Sequence, residues 1–324
     1  MVTVDPIADK PRSIWSSPWL KIALSLGVVA LLVNEVNFAE LRRILRRADP
    51  WWAGLGLLTL LASQVVCVTR WRMLAKPLGL QGSYGAFFGA YFTGLFFNLF
   101  GPSTVAGDIA RTLFLAGTEQ RRSLALVSVL AERGIGLITL VWIATIALVL
   151  QPQLPLPWFI RYGALTVAPL TILAWFWLPQ LAVTLFPHSE RLQRFVTVDL
   201  LPYRRDWRLL LRANLASLAF HLLNIGSQVP LVKALGLDVS FGYVFLFVPI
   251  VNLVSMVPIS FNGIGIREAG YWYFLSRVGV HKSSAVALGI LSSATVLITG
   301  LFGGLVYLIW QHRKKANGRS EAQS

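Results

Sequence analysis

Six long apolar runs separated by short basic loops constrain this chain more than any other feature. A helix that crosses a bilayer needs about 20 mainly apolar residues. Candidate spans lie at 19–35, 51–69, 124–150, 160–186, 209–235 and 284–310. In lipid the backbone must satisfy its own hydrogen bonds, so helices are the expected spanning elements. The fold class predicted is an all-α polytopic membrane protein, organised as one integral membrane domain over 1–324. Composition agrees, with 56% hydrophobic and only 13% charged residues, where soluble domains carry roughly 25% charged. The net charge of +15 would suit nucleic acid. The basic residues, however, sit in the short loops where membrane topology puts them, so no nucleic-acid partner is expected. A single cysteine and four scattered histidines offer neither an internal disulfide nor metal-ligand spacing, and no cofactor or metal is expected. Lys10, Arg12 and Lys21 flank the run 22–34 in the manner of a signal peptide. No small-x-small cleavage site follows, so it reads as a retained first span.

Lys and Arg gather on the cytoplasmic side of membrane proteins. The loop 187–208 holds Arg191, Arg194, Arg204, Arg205 and Arg208, and the tail 311–324 holds Arg313, Lys314, Lys315 and Arg319. The connection 70–83 holds Arg70, Arg72 and Lys76, and Arg121 and Arg122 precede the span at 124. Placing all of these inside, with both termini, puts the chain in the cell membrane. The stretch 84–116 then begins and ends on the cytoplasmic face, and 242–278 is based on the outer face. Each is apolar, then broken by Pro and Gly, then charged, so each is expected to be a re-entrant or broken-helix hairpin. The outward loop 36–50 carries Arg42, Arg43, Arg46 and Arg47 against this assignment. Leu41, Ile44 and Leu45 fall at helical spacing there, which predicts a short interfacial helix.

The two hairpins share the pattern P-x4-G-x3-R. Pro102, Gly107 and Arg111 recur as Pro258, Gly263 and Arg267, displaced by 156 residues. The order span, basic amphipathic loop, span, hairpin, span also recurs, over about 19–150 and 160–310. Three crossings per half invert the second half. About six full spans plus two hairpins, at least eight membrane segments, make two inverted-topology repeats. In transporters, breaks at corresponding places mark the substrate site.

Charges inside these stretches are costly, at about 2.5–3.5 kcal/mol near the bilayer centre even on a lenient scale. Asp108 and Arg111 share a helix face. Glu132 and Arg133, like Arg267 and Glu268, are helix neighbours that diverge by about 100°; each needs a partner elsewhere, and pairs across the hairpins are expected. A polar cavity between the hairpins would let Arg111 and Arg267 grip a phosphate with planar forks. Helix starts after Gly107 and Gly263 would add N–H donors. The alternative is a set of ion pairs that simply pins two broken helices. Asn98, Asn224, Gln228, Asn252 and Asn262 serve either as lining or as partners for freed backbone, and His221 reads as a bonded core residue. Catalytic motifs such as GxSxG, HExxH or a P-loop are absent from the sequence, so no enzyme is expected.

Three segments, "FFNLFGPSTVAGDIARTLFLA", "SVLAERGIGLITL" and "VPISFNGIGIREAGYWYFL", resemble those of the lysylphosphatidylglycerol synthase transmembrane-region family. The resemblance covers nearly the whole chain and rests on Gly107-Asp108 with Arg111, on Glu132-Arg133-Gly134, and on Asn262-Gly263-x-Gly265-x-Arg267-Glu268. The chain departs from the family in reading Pro102-Ser and Ala106 where further glycines are common, and Glu132-Arg133 where Asp-Arg is common. The aminoacyl-transfer domain is also missing. The resemblance therefore implies lipid translocation, a flippase-like role with membrane lipids as partners; joined to the arginines at the two breaks, it leads to the expectation that an anionic phospholipid or lipid-linked headgroup is moved. Two alternatives stay open: a non-catalytic membrane partner of a glycosyltransferase or lipid-modifying enzyme, and a transporter of small soluble anions.

Overall fold

The computed structural model describes residues 38–100, 105–116, 119–152, 157–256 and 265–321, and no strand occurs among them. The expected span 19–35 and the break residues Pro102, Pro258, Asn262 and Gly263 lie outside the described residues. The chain is an all-α polytopic membrane protein. Helix α1 (Phe38–Arg46) is the amphipathic helix expected from its spacing. Leu41, Ile44 and Leu45 pack on Leu235, Val286 and Ala287, while Arg42, Arg43, Arg46 and Arg47 stay exposed.

The remaining helices follow in order: α2 (Pro50–Ala75), α3 (Tyr84–Phe100), α4 (Val105–Leu115), α5 (Glu119–Leu150), α6 (Trp158–Leu185), α7 (Glu190–Arg194), α8 (Leu201–Arg205), α9 (Trp207–Gly226), α10 (Gln228–Ala234), α11 (Phe241–Ser255), α12 (Ile266–Leu275) and α13 (Lys282–Glu321). Five stretches are long and apolar enough to cross a bilayer: Pro50–Leu78, Arg121–Leu150, Trp158–Leu185, Trp207–Ala234 and Lys282–His312. One expectation needs correction: Arg70 and Arg72 do not lie in a loop, because α2 runs unbroken to Ala75. Helix α13 continues beyond the last span to Glu321.

The hairpins are α3–α4 and α11–α12. Their arms hold 17, 11, 15 and 10 residues. At about 1.5 Å per residue the returning arms reach only about 16 Å, against about 30 Å of hydrocarbon. Each returning arm is thus too short to cross a bilayer by itself. Ser83 and Ser240 cap the two first arms, accepting from the N–H of Ala86 (3.2 Å) and Tyr243 (3.3 Å).

The two halves run antiparallel. Asp49 N–H at the start of α2 donates to Ala234 O at the end of α10 (2.8 Å). At the other end the Tyr203 hydroxyl, just before α9, donates to Leu74 O (2.6 Å). Asp49 and Asp206 each cap the helix they precede, accepting from Trp51 N–H (2.8 Å) and Leu209 N–H (3.0 Å). Small–large contacts are reciprocal as well. Gly56 lies against Leu231, and Ala213 shares a cluster with Leu74. The first arm of each hairpin packs on the last span of the opposite half, α3 on α13 and α11 on α5. Without a hydrophobic drive in lipid, such contacts depend on small residues that let backbones approach. Gly303 meets that need, since a Cβ there would stand 2.1 Å from Phe92 O.

Candidate functional site: a buried charge cluster at the first hairpin

The first hairpin closes tightly because two glycines cross. A Cβ on Gly107 would stand 2.2 Å from Gly94 O, and one on Gly94 would stand 2.8 Å from Gly107 O. Asn98 secures the crossing by accepting from Gly107 N–H (2.8 Å). That contact turns Asp108 and Arg111, one turn apart on α4, toward α5 and α2.

Five charged side chains meet there. Arg111 Nη2 lies 2.9 Å from Asp108 Oδ1 and 2.9 Å from Glu132 Oε2. Arg133 grips Asp108 with two nitrogens, Nε and Nη2, the latter donating to Oδ1 at 2.9 Å. Arg70 pairs with Glu132 Oε1, which also accepts from the Cys67 thiol (3.1 Å). Gly136 leaves space for the Arg70 fork, because a Cβ there would lie 3.3 Å from Arg70 Nη2. Arg70 Nη1 also donates to Ser217 Oγ (2.7 Å) on α9, which ties the cluster to the second half. Arg111 lies over the Trp71 ring (5.0 Å) and Arg70 over Phe220 (5.2 Å), contacts that suit a desolvated guanidinium. Arg70, Arg111 and Glu132 are at most 5% exposed, Asp108 is 12% exposed and Arg133 is 30% exposed.

The cluster lines a cavity of about 230 Å³. Asn98, Asn224, Asn252 and His221 complete its polar wall, and Met256 brings in the end of α11. His221 Nε2–H donates to Gly136 O (2.9 Å), as a bonded core residue would.

The expected pairing across the hairpins is not what forms. Glu132 and Arg133 find partners on α2 and α4, and Arg267 and Glu268 do not line the cavity. Arg267 Nη1 instead donates to Ser293 Oγ (3.3 Å), which itself donates to Glu268 Oε1 (2.7 Å). The other Glu268 oxygen accepts Gly265 N–H (2.7 Å). Two backbone N–H groups near these helix starts already have partners within the chain, while the helix start expected after Gly263 begins outside the described residues. Gly107 N–H goes to Asn98 and Gly265 N–H to Glu268. Gly107 serves close packing, while Gly265 takes a φ of +86° that suits glycine. Gln228 accepts from Tyr271 (3.0 Å) away from the cavity.

Arg70 and Cys67 are the residues that sequence reasoning missed. A signal was present: Gln64, Cys67 and Arg70 recur at three-residue spacing along one face of an otherwise apolar span. Chemically, the arrangement offers guanidinium forks beside a small, partly open cavity, with the carboxylates holding those forks in place.

Comparison with known proteins agrees with this architecture. Residues 19–304 match the family described as the lysylphosphatidylglycerol synthase TM region. A "UPF0104 membrane protein" of Methanothermobacter thermautotrophicus is 20% identical over 296 residues, which cover 82% of this chain and 88% of that protein. No solved structure matches.

Proposed function

Because the chain belongs to the lysylphosphatidylglycerol synthase transmembrane-region family, we propose that it moves an anionic phospholipid or lipid-linked headgroup between leaflets. One observation carries this reading: a five-residue charge cluster lies beside a cavity at the break of a hairpin, between antiparallel halves. Charges at such depth are expensive, and those that persist usually mark a transported species. Arginine forks suit phosphate oxygens. The headgroup would enter the cavity while its acyl tails stay in lipid. The chain would work as a transporter rather than an enzyme, in the cell membrane, with its more basic face inward. Arg121, Arg122, Arg204, Arg205 and Arg208 stand where α5 begins and where α8 meets α9, which supports that orientation.

The test is transfer of a fluorescent anionic phospholipid in vesicles reconstituted with the purified protein. Arg111→Ala should abolish transfer while the protein still purifies as a folded species. Wild-type rates in that variant would overturn the reading.

A second reading, as membrane partner of a glycosyltransferase or lipid-modifying enzyme, is favoured by α6. Only Ala168 of that helix is buried, which leaves a long apolar flank for another membrane protein. It predicts that the purified chain moves no lipid and that an enzyme co-purifies with it.

A further inference from the structure

The cluster does not balance its charges. Three guanidiniums, Arg70, Arg111 and Arg133, face two carboxylates, Asp108 and Glu132. Among the described residues, the other titratable side chains on the cavity wall are Cys67, Tyr91 and His221. The Cys67 thiol donates to Glu132, the Tyr91 hydroxyl donates to Gln64 Oε1 (2.9 Å), and His221 donates to a carbonyl, so none supplies a compensating charge in its neutral form. Among the described lining residues the wall therefore carries a net charge of +1. The wall is open to an incoming anion at Arg133, which is 30% exposed. The geometry also assigns the donors. All four carboxylate oxygens are committed: both Asp108 oxygens to Arg133, with Oδ1 shared by Arg111, and the two Glu132 oxygens to Arg70 and Arg111. An ammonium headgroup would have to compete with these guanidiniums for the carboxylate oxygens. An anion finds Arg133, the most exposed of the three cations. The cavity of about 230 Å³ is smaller than the roughly 300–1,000 Å³ typical of drug-sized ligands, so it suits a compact headgroup.

From this imbalance we infer that the site selects a lipid whose headgroup is a phosphodiester with one net negative charge, and that Arg133 and Asp108 set that charge. The inference rests on the reading of the cavity as a headgroup site. Bound, the monoanion brings the wall to neutrality. A zwitterion leaves +1, and a dianion overshoots to −1. Even at a protein-like dielectric, one unpaired charge a few ångströms away is worth more than a factor of about ten.

The experiment compares three labelled lipids in phosphatidylcholine vesicles holding the full-length protein. They are phosphatidylglycerol, phosphatidylcholine and phosphatidic acid at pH 8, where a phosphomonoester carries about two charges. Phosphatidylglycerol should move at least about tenfold faster than either of the others. Arg133→Gln, which makes the wall neutral, should shift preference toward phosphatidylcholine. Asp108→Asn, which makes it +2, should shift preference toward phosphatidic acid. Arg133→Lys keeps the charge and should keep the wild-type order, which separates charge from lost packing. Equal rates for the three lipids, or variants that keep the phosphatidylglycerol preference, overturn the inference while leaving lipid transfer intact. If no lipid moves at all, the transport reading fails, and the charge rule is read from native mass spectrometry in detergent. Retention of phosphatidylglycerol over the other two upholds it, and indifference overturns it. Free glycerophosphoglycerol tests a soluble source, and its uptake without lipid movement would overturn the assignment to a lipid.

Discussion

At the scale of single residues, Glu132 holds the site together. It is the carboxylate shared by Arg70 and Arg111. Glu132→Gln leaves two buried guanidiniums with one partner fewer. Removing one member of a buried pair typically costs about 3–5 kcal/mol, so a large fall in thermal midpoint in detergent is expected. The double variant Arg70→Gln with Glu132→Gln removes one charge of each sign, and it should recover part of that loss. If the double variant is no more stable than Glu132→Gln, the pairing is not what stabilises the region. Arg267 belongs to a different setting. It bonds a serine on α13 and lies off the cavity wall, so Arg267→Ala should slow lipid transfer less than Arg111→Ala does. Equal loss in both would return Arg267 to the path. The sequence exposed the depth of Asp108, Arg111, Glu132 and Arg133, because charges interrupt apolar runs there. It could not show who pairs with whom. Pairing depends on the crossing of α3 and α4 at Gly94 and Gly107 and on the distance between α2 and α5, neither of which leaves a local pattern.

At the scale of elements, helix starts and helix crossings carry the architecture. Asp49 and Asp206 cap equivalent spans, and loss of such a cap costs about 1 kcal/mol. Asp49→Ala and Asp206→Ala should therefore lower the thermal midpoint by similar amounts, and a difference of several-fold would break their equivalence. Gly303→Ala puts a methyl against the Phe92 carbonyl, which forces α3 and α13 apart. Its cost should exceed that of Gly54→Ala, where no atom lies within 4 Å. The repeat was legible in part. The P-x4-G-x3-R match located both hairpins, although half of its residues fall outside the described segments. A stronger match went unread. "LGLQGSYG" at 78–85 and "LGLDVSFG" at 235–242 are displaced by 157 residues. They share a left-handed glycine, Gly79 and Gly236, and a capping serine, Ser83 and Ser240. The displacement differs from 156 because the second hairpin is one residue shorter before its proline, and a search at a single fixed period separates the two matches.

At the scale of the whole molecule, antiparallel halves place equivalent helix starts on opposite faces. Trp51 and Trp207 stand at the starts of α2 and α9 and are both well exposed, as interfacial anchors are. In a Cys67→Ser background, Trp51→Cys and Trp207→Cys should react with a membrane-impermeant maleimide from opposite sides of sealed vesicles. Labelling of both from one side would disprove the inverted arrangement. The same layout separates two kinds of positive charge. The α1 arginines are bathed in solvent, whereas Arg70 and Arg111 are almost wholly enclosed. Mobile ions reach the first group and not the second. Between 0.1 M and 1 M salt the Debye length shrinks from about 10 Å to about 3 Å. Attraction of α1 to an anionic bilayer surface should fade over that range, while discrimination inside the cavity should persist. Ionic strength thus distinguishes the charges that gather lipid at the surface from those that choose among lipids within.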